Sequence, residues 1–159
     1  MQTWKDYELA AAERLVDAQV LAGARSDTSG AVYLAGYVAE MVLKAAFFRV
    51  KGTPVSANAG SQLALLHRAV SAAGWGSAKS RPDYHNLDML SRALLFERSR
   101  AGRPLGHAHE VGLRRRVRDL SAIWKVDLRY SHRALQKSDV GTAFRCATWF
   151  LANYPALHA

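Results

Sequence analysis

The stretch from Gly30 to Val50, GAVYLAGYVAEMVLKAAFFRV, constrains this chain more than any other, because it is apolar on nearly every side. A helix of that kind needs neighbours all round it. Two charges, Glu40 and Lys44, interrupt its middle, spaced i,i+4 with the acid first, the favourable order along a helix. Its length would also fit a membrane span, but two ionisable groups near the centre would cost about 5–7 kcal/mol on insertion scales. The stretch therefore reads as the central helix of a soluble bundle, with no membrane partner.

The rest of the chain is suited to surround it. At 159 residues, half of them apolar, the sequence is expected to form one domain, 1–159, with a single core. Four prolines and eleven glycines leave long stretches free to be helical, so an all-α fold is expected. The single cysteine, Cys146, excludes an internal disulfide, and the N-terminal MQTWKDYELA lacks the basic start and apolar core of a secretory signal. A reducing, cytoplasmic setting is expected.

Helical periodicity can be followed along most of the chain. Thr3 is placed to cap a first helix to about Ala22, with Asp6 and Glu8 in its opening turns and an apolar stripe of Tyr7, Ala11, Leu15, Ala18 and Ala22. The polar run Gly23 to Gly30 ends it, and Ser26, Asp27 or Ser29 can cap the central helix. Lys51-Gly52-Thr53-Pro54 breaks that helix. A third, from Asn58 or Ser61 to Ala73, puts Leu63, Leu66 and Val70 on one face; Trp75, between Gly74 and Gly76, reads as a lid on the core rather than a base-stacking platform.

A fourth helix opens at His85-Asn86 and runs to about Arg98 with Leu87, Leu90 and Leu94. Ser99 to Glu110 reads as an exposed, mobile loop. Its His107 and His109, with only Glu110 nearby, fall short of a metal site, and neither metal nor cofactor is expected. A fifth helix, about Glu110 to Trp124, turns Leu113, Val117, Leu120 and Trp124 inward. Ser138 and Asp139 begin a last one through Tyr154, with Val140, Phe144, Ala147 and Leu151 inward and Pro155 closing it. An up-and-down bundle of about five to six helices is the expected architecture.

Charge gives the functional lead. Of the formal +9, the segment Arg92 to Arg133 carries +7, with eleven Lys/Arg against four Asp/Glu. Such an excess points to a polyanion or to a solvated arginine-rich face. The fifth helix throws Arg114, Arg115 and Arg118 away from its apolar stripe, forming a ridge that would hold phosphates without base specificity. Two readings are open for Glu40 and Lys44: a structural pair bonded to the hydroxyls of Tyr33 and Tyr37, or the lining of a ligand pocket. Two are likewise open for His85 and Asn86, which either fix their turn or hold an RNA or nucleotide phosphate.

The pattern YLAGYVAEMVLKAAF, with Tyr33, Gly36, Tyr37, Glu40, Leu43 and Lys44, resembles the second helix of HEPN (higher eukaryotes and prokaryotes nucleotide-binding) domains. His85-Asn86-Leu87 with Leu90 resembles the HNL turn of that family, and Trp124 followed by Arg129-Tyr130 resembles the segment before its last helix. The resemblance implies a helical bundle that binds RNA or nucleotide. It also implies metal-independent RNA cleavage in members carrying an Arg, a spacer of four to six residues, and a His. In that chemistry the His moves a proton at the ribose while the Arg steadies the phosphate.

This chain departs from that motif: near its last helix it offers Arg129 and His132 with two residues between. Arg129 can instead pair with Asp127 or Glu40, with Tyr130 packed under the last helix. Literal matches, Arg100 to His107 and Arg103 to His109, equal the roughly two expected by chance from sixteen arginines and six histidines. The RNA contacts implied are Arg114, Arg115, Arg118, Arg129, His132 and Arg133. Alternatively, the domain is an interaction module. The resemblance implies a homodimer or a companion nucleotidyltransferase or antitoxin protein, and Trp4, Trp75, Trp149 and Phe150 would then form an exposed apolar patch.

Overall fold

Local capping sets where each helix begins. Thr3 and Asp6 bond reciprocally, the Asp6 carboxylate accepting the Thr3 N–H at 2.6 Å and the Thr3 hydroxyl accepting the Asp6 N–H at 3.3 Å. These bonds pull the Asp6 carboxyl below its ordinary pKa. Asp27 accepts the Gly30 N–H at 2.8 Å, Asn58 the Gly60 N–H at 2.8 Å, and Asn86 the Met89 N–H at 3.0 Å. In this computed structural model the helices are α1 (Trp4–Ala24), α2 (Thr28–Val50), α3 (Ala59–Ala72), α4 (Leu87–Arg100), α5 (His107–Ile123) and α6 (Lys137–His158). A short 3-10 helix (Val126–Tyr130) precedes α6. The structure describes residues 3–24, 27–74, 83–130 and 135–159, and of Ala24, Arg129 and Tyr130 the backbone alone. Among the described residues there is no strand, and the architecture is an all-α helical bundle. Trp75 lies outside them.

α2 is the hub. It packs against α1, α4, α6 and the 3-10 helix, and its Val32, Val38, Leu43, Phe47 and Phe48 are buried. It is long and apolar enough to cross a membrane by length and composition, yet 78% of its most apolar window is buried within the bundle. A water-facing stripe is what a peripheral helix keeps, and α2 has almost none. Gly36 allows the closest approach: a Cβ there would lie 2.0 Å from the Trp124 ring, whose indole N–H donates to the Tyr33 carbonyl at 3.0 Å.

Four expectations are corrected. The segment after α4 is shorter than its composition suggests: only residues 101–106 separate α4 from α5. Leu105 is buried there, and His107 and His109 stand on the first turn of α5. The inward face of α6 is carried by Val140, Ala143, Cys146, Ala147, Phe150, Tyr154 and Leu157, while Phe144 and Leu151 are half-buried. α6 lies against both α2 and α5, so its apolar face is wider than one stripe. Phe150 is fully buried, Trp149 packs beside Gly112, and the indole N–H of Trp4 donates to the Thr53 carbonyl at 2.9 Å, so these three form no exposed patch.

Pro155 does not close α6, which continues to His158. Proline forfeits one helical hydrogen bond. The buried Arg98 of α4 offsets this, its Nη1 donating to the backbone oxygens of Ala156 (3.2 Å), Leu157 (3.1 Å) and Ala159 (2.6 Å). A guanidinium at a helix C-terminus both satisfies orphan carbonyls and complements the dipole. Just before these carbonyls on α6, Tyr154 reaches Glu8 at 3.4 Å, and Arg49 lies over the rings of Trp4 and Tyr154. Burial pushes the Tyr154 phenol up to about 12.

Candidate functional site

Two polar regions stand out, one inside the bundle and one on its surface. Inside, Glu40 is 3% exposed and Lys44 5%. The spacing of four places both on one side of α2, where Lys44 Nζ donates to Glu40 Oε1 at 2.6 Å. The other carboxylate oxygen, Oε2, bonds His85 Nδ1 at 2.9 Å across 45 residues of sequence. That bond raises the His85 pKa, with burial opposing it. Lys44 Nζ also lies over the Tyr7 ring of α1 at 5.9 Å, and the Tyr7 phenol is raised by burial and then by the Glu40 charge.

Aromatic rings enclose this knot. Tyr37 stands 5.0 Å from Tyr33, 6.2 Å from His85 and 6.2 Å edge-on to Trp124, measured between ring centres. The partner that sequence reasoning missed is His85. No spacing rule links residues so far apart, and no local signal in the sequence points from Glu40 to His85. Asn86 fixes the turn as the cap of α4, next to His85. Glu40 and Lys44 are bonded to each other inside the bundle, and the second carboxylate oxygen of Glu40 goes to His85.

On the surface, Arg114, Arg115 and Arg118 are exposed on α5 as its periodicity requires, while Leu113, Val117 and Leu120 are buried. The ridge is less bare than the sequence implies. Arg114 pairs with Glu110 at 2.7 Å, Arg118 with Asp119 at 3.1 Å, and Arg115 approaches Asp119 at 3.7 Å. A groove of about 480 Å³ runs between α4 and α5, with Arg92, Arg114 and Arg118 on its walls. It shares Asp88 and Ser121 with a second hollow of about 280 Å³ that reaches His85 and Lys125. On the α4–α5 face the two hollows adjoin as a trench lined by Arg92, Arg114, Arg118 and Lys125 together with Asp83 and Asp88, with His85 at one end, and Asp88 pairs with Arg92 at 2.8 Å.

The backbone of Arg129 lies in the 3-10 helix, but its side chain, that of Tyr130, and all of His132 and Arg133 lie outside the described residues. Arg100 pairs with Glu97 at 2.9 Å, while His107 and His109 are exposed on α5. Among the described residues no three His, Cys, Asp or Glu side chains gather as metal ligands. Comparison with protein-family models, curated proteins and solved structures returns no match to this chain.

Proposed function

We propose that the protein is a HEPN-like bundle that binds RNA through the outer face of α5, by contacts to the phosphate backbone. The observation that carries this reading is the concentration of guanidinium groups on one rigid, solvent-facing helix: Arg114, Arg115 and Arg118, flanked by Arg92 and Lys125. Their partners Glu110 and Asp119 lie on the same helix with side chains 37% and 27% exposed, and surface pairs of this kind are worth about 0.2–1 kcal/mol each. A phosphate can therefore replace Glu110 or Asp119 at small cost and gain forked, charge-assisted hydrogen bonds. The HEPN resemblance is supported by where its three segments lie. Glu40 meets His85, and Gly36 receives Trp124, so motifs spread from Tyr33 to Trp124 share one knot.

The test is titration with mixed RNA of the wild-type protein, a triple Arg114→Ala, Arg115→Ala, Arg118→Ala variant, and Arg68→Ala as a control on α3. Affinity lost in the triple variant and kept in the control supports the reading; equal affinity in all three overturns it. Fragments formed in the presence of a chelator, and lost in Arg129→Ala and His132→Ala, would add cleavage to binding.

One observation favours a second reading, a homodimer. Leu9, Val16 and Val20 fall at i, i+7 and i+11 on α1 and are 59%, 58% and 55% exposed. Three aliphatic side chains cover far less than the roughly 800 Å² per partner of a stable interface. A solution mass of two chains that reverts to one in Val16→Glu would establish it, and a single-chain mass in the wild type would remove it.

A further inference from the structure

α5 has a second flank. Its sequence RRRVRD turns Arg114 and Arg118 toward α4, but Arg115 and Arg116 toward α6, where a groove of about 340 Å³ lies between the two helices. Arg145 of α6 enters the same groove, its Nη2 donating to the Thr142 hydroxyl at 2.9 Å. Asp119 is the one acid on the lining, and it is already engaged by Arg118 at 3.1 Å and Arg115 at 3.7 Å. Arg116 and Arg145 have no carboxylate partner among the described residues, and the buried Nε of Arg116 has no hydrogen-bond partner there. Cys146 and Ala122 complete the lining with apolar surface.

We infer that this α5–α6 groove is a phosphate seat formed by Arg116, Arg145 and Thr142, with Arg115 at its rim. Three guanidinium groups against one carboxylate leave an excess of +2 within one small concavity. Planar forks match phosphate oxygens in pairs, and a threonine hydroxyl adds a neutral donor. The lining offers no aromatic ring on which a base could stack, and its guanidinium and hydroxyl donors suit the oxygens of a phosphate. The inference rests on the RNA reading in one respect: if the phosphate belongs to RNA, the strand crosses α5 from the α4 trench to this seat, spanning a helix of about 10–12 Å diameter. A small phosphorylated compound is the other source of the same chemistry.

Two measurements separate these outcomes. The first is the thermal unfolding midpoint with and without inorganic pyrophosphate at matched ionic strength, for the wild type, Arg145→Ala, Arg116→Lys and Arg68→Ala. Arg145 is exposed, so its removal leaves the core untouched, and Arg116→Lys keeps the charge while removing the fork. The seat predicts a rise of about 3 °C in the wild type and in Arg68→Ala that vanishes in Arg145→Ala and shrinks in Arg116→Lys. No rise in the wild type, or the same rise in Arg145→Ala, overturns it.

The second is RNA affinity across a salt series. If RNA supplies the phosphate, Arg145→Ala weakens binding and lowers the salt slope by about 1. If affinity is unchanged while the pyrophosphate response is lost, the seat stands and serves a small phosphate compound. Wild-type protein that binds no RNA would defeat the RNA reading alone, since the pyrophosphate measurement still decides the seat.

Discussion

Glu40–Lys44 and Glu110–Arg114 are ion pairs of one pattern, acid first and cation four residues on, with N···O distances of 2.6 and 2.7 Å. Their settings are opposite. The α2 side chains are 4% and 6% exposed, whereas those on α5 are 37% and 57% exposed. Inside, both charges have left water; each depends on the other for compensation, and Glu40 on His85 as well. Outside, water and salt stand ready to replace either partner. Burial therefore turns one spacing into a fixed strut and leaves the other as an exchangeable contact for a ligand.

The largest expected effect breaks the inner pair. Lys44→Met leaves the Glu40 carboxylate buried without its ammonium and should cost about 3–5 kcal/mol in urea unfolding. Adding Glu40→Leu should recover most of that loss, because the orphaned charge is what destabilises. A loss below about 1 kcal/mol for Lys44→Met alone would place the pair in contact with water. Packing around the knot is tested by Gly36→Ala, whose Cβ meets the Trp124 ring, with an expected cost of about 1–3 kcal/mol.

A smaller effect separates the roles of His85 and Lys44. The folded pKa of His85 is raised from its ordinary 6.5 by the bond to Glu40. Its contribution to stability is whole below about pH 6.5 and is lost as pH climbs through the raised value. The stability gap between wild type and His85→Gln should thus narrow toward alkaline pH. His158, lowered by burial, has the opposite sign, but both proteins carry it and it cancels. A gap that widens with pH would contradict the assignment.

The smallest stability change belongs to the outer pair. Glu110→Gln should alter unfolding by less than about 0.5 kcal/mol, yet it should tighten RNA binding by releasing Arg114. Unchanged or weakened RNA affinity in that variant would show that Arg114 is not a phosphate contact.

What could be read in advance was whatever is local. Thr3 and Asn86 were legible as caps and Asp27 and Asn58 stood among the alternatives, each bonding within four residues of itself, whereas α6 is capped by Gln136 rather than Ser138. The all-round apolar character of α2 correctly placed it at the hub, and the α5 stripe correctly exposed its arginines. What escaped depends on distant partners. Pro155 looked like a stop because Arg98, which holds the last backbone oxygens of α6, comes from another helix. Phe150 lies off the inward stripe of Val140, Phe144, Ala147 and Leu151, and the second packed face this implies is covered within the bundle because α6 has two neighbours. Arg145 lies outside the basic segment, and only the packing of α6 on α5 brings it to Arg116.

Whether the α5 arginines are free for phosphate is read most directly from the affinity for a single-stranded RNA between about 50 and 200 mM salt. Three to four backbone contacts predict that the logarithm of affinity falls against the logarithm of salt with a slope of about −2 to −3. Affinity that stays flat across that range would contradict phosphate binding by this face.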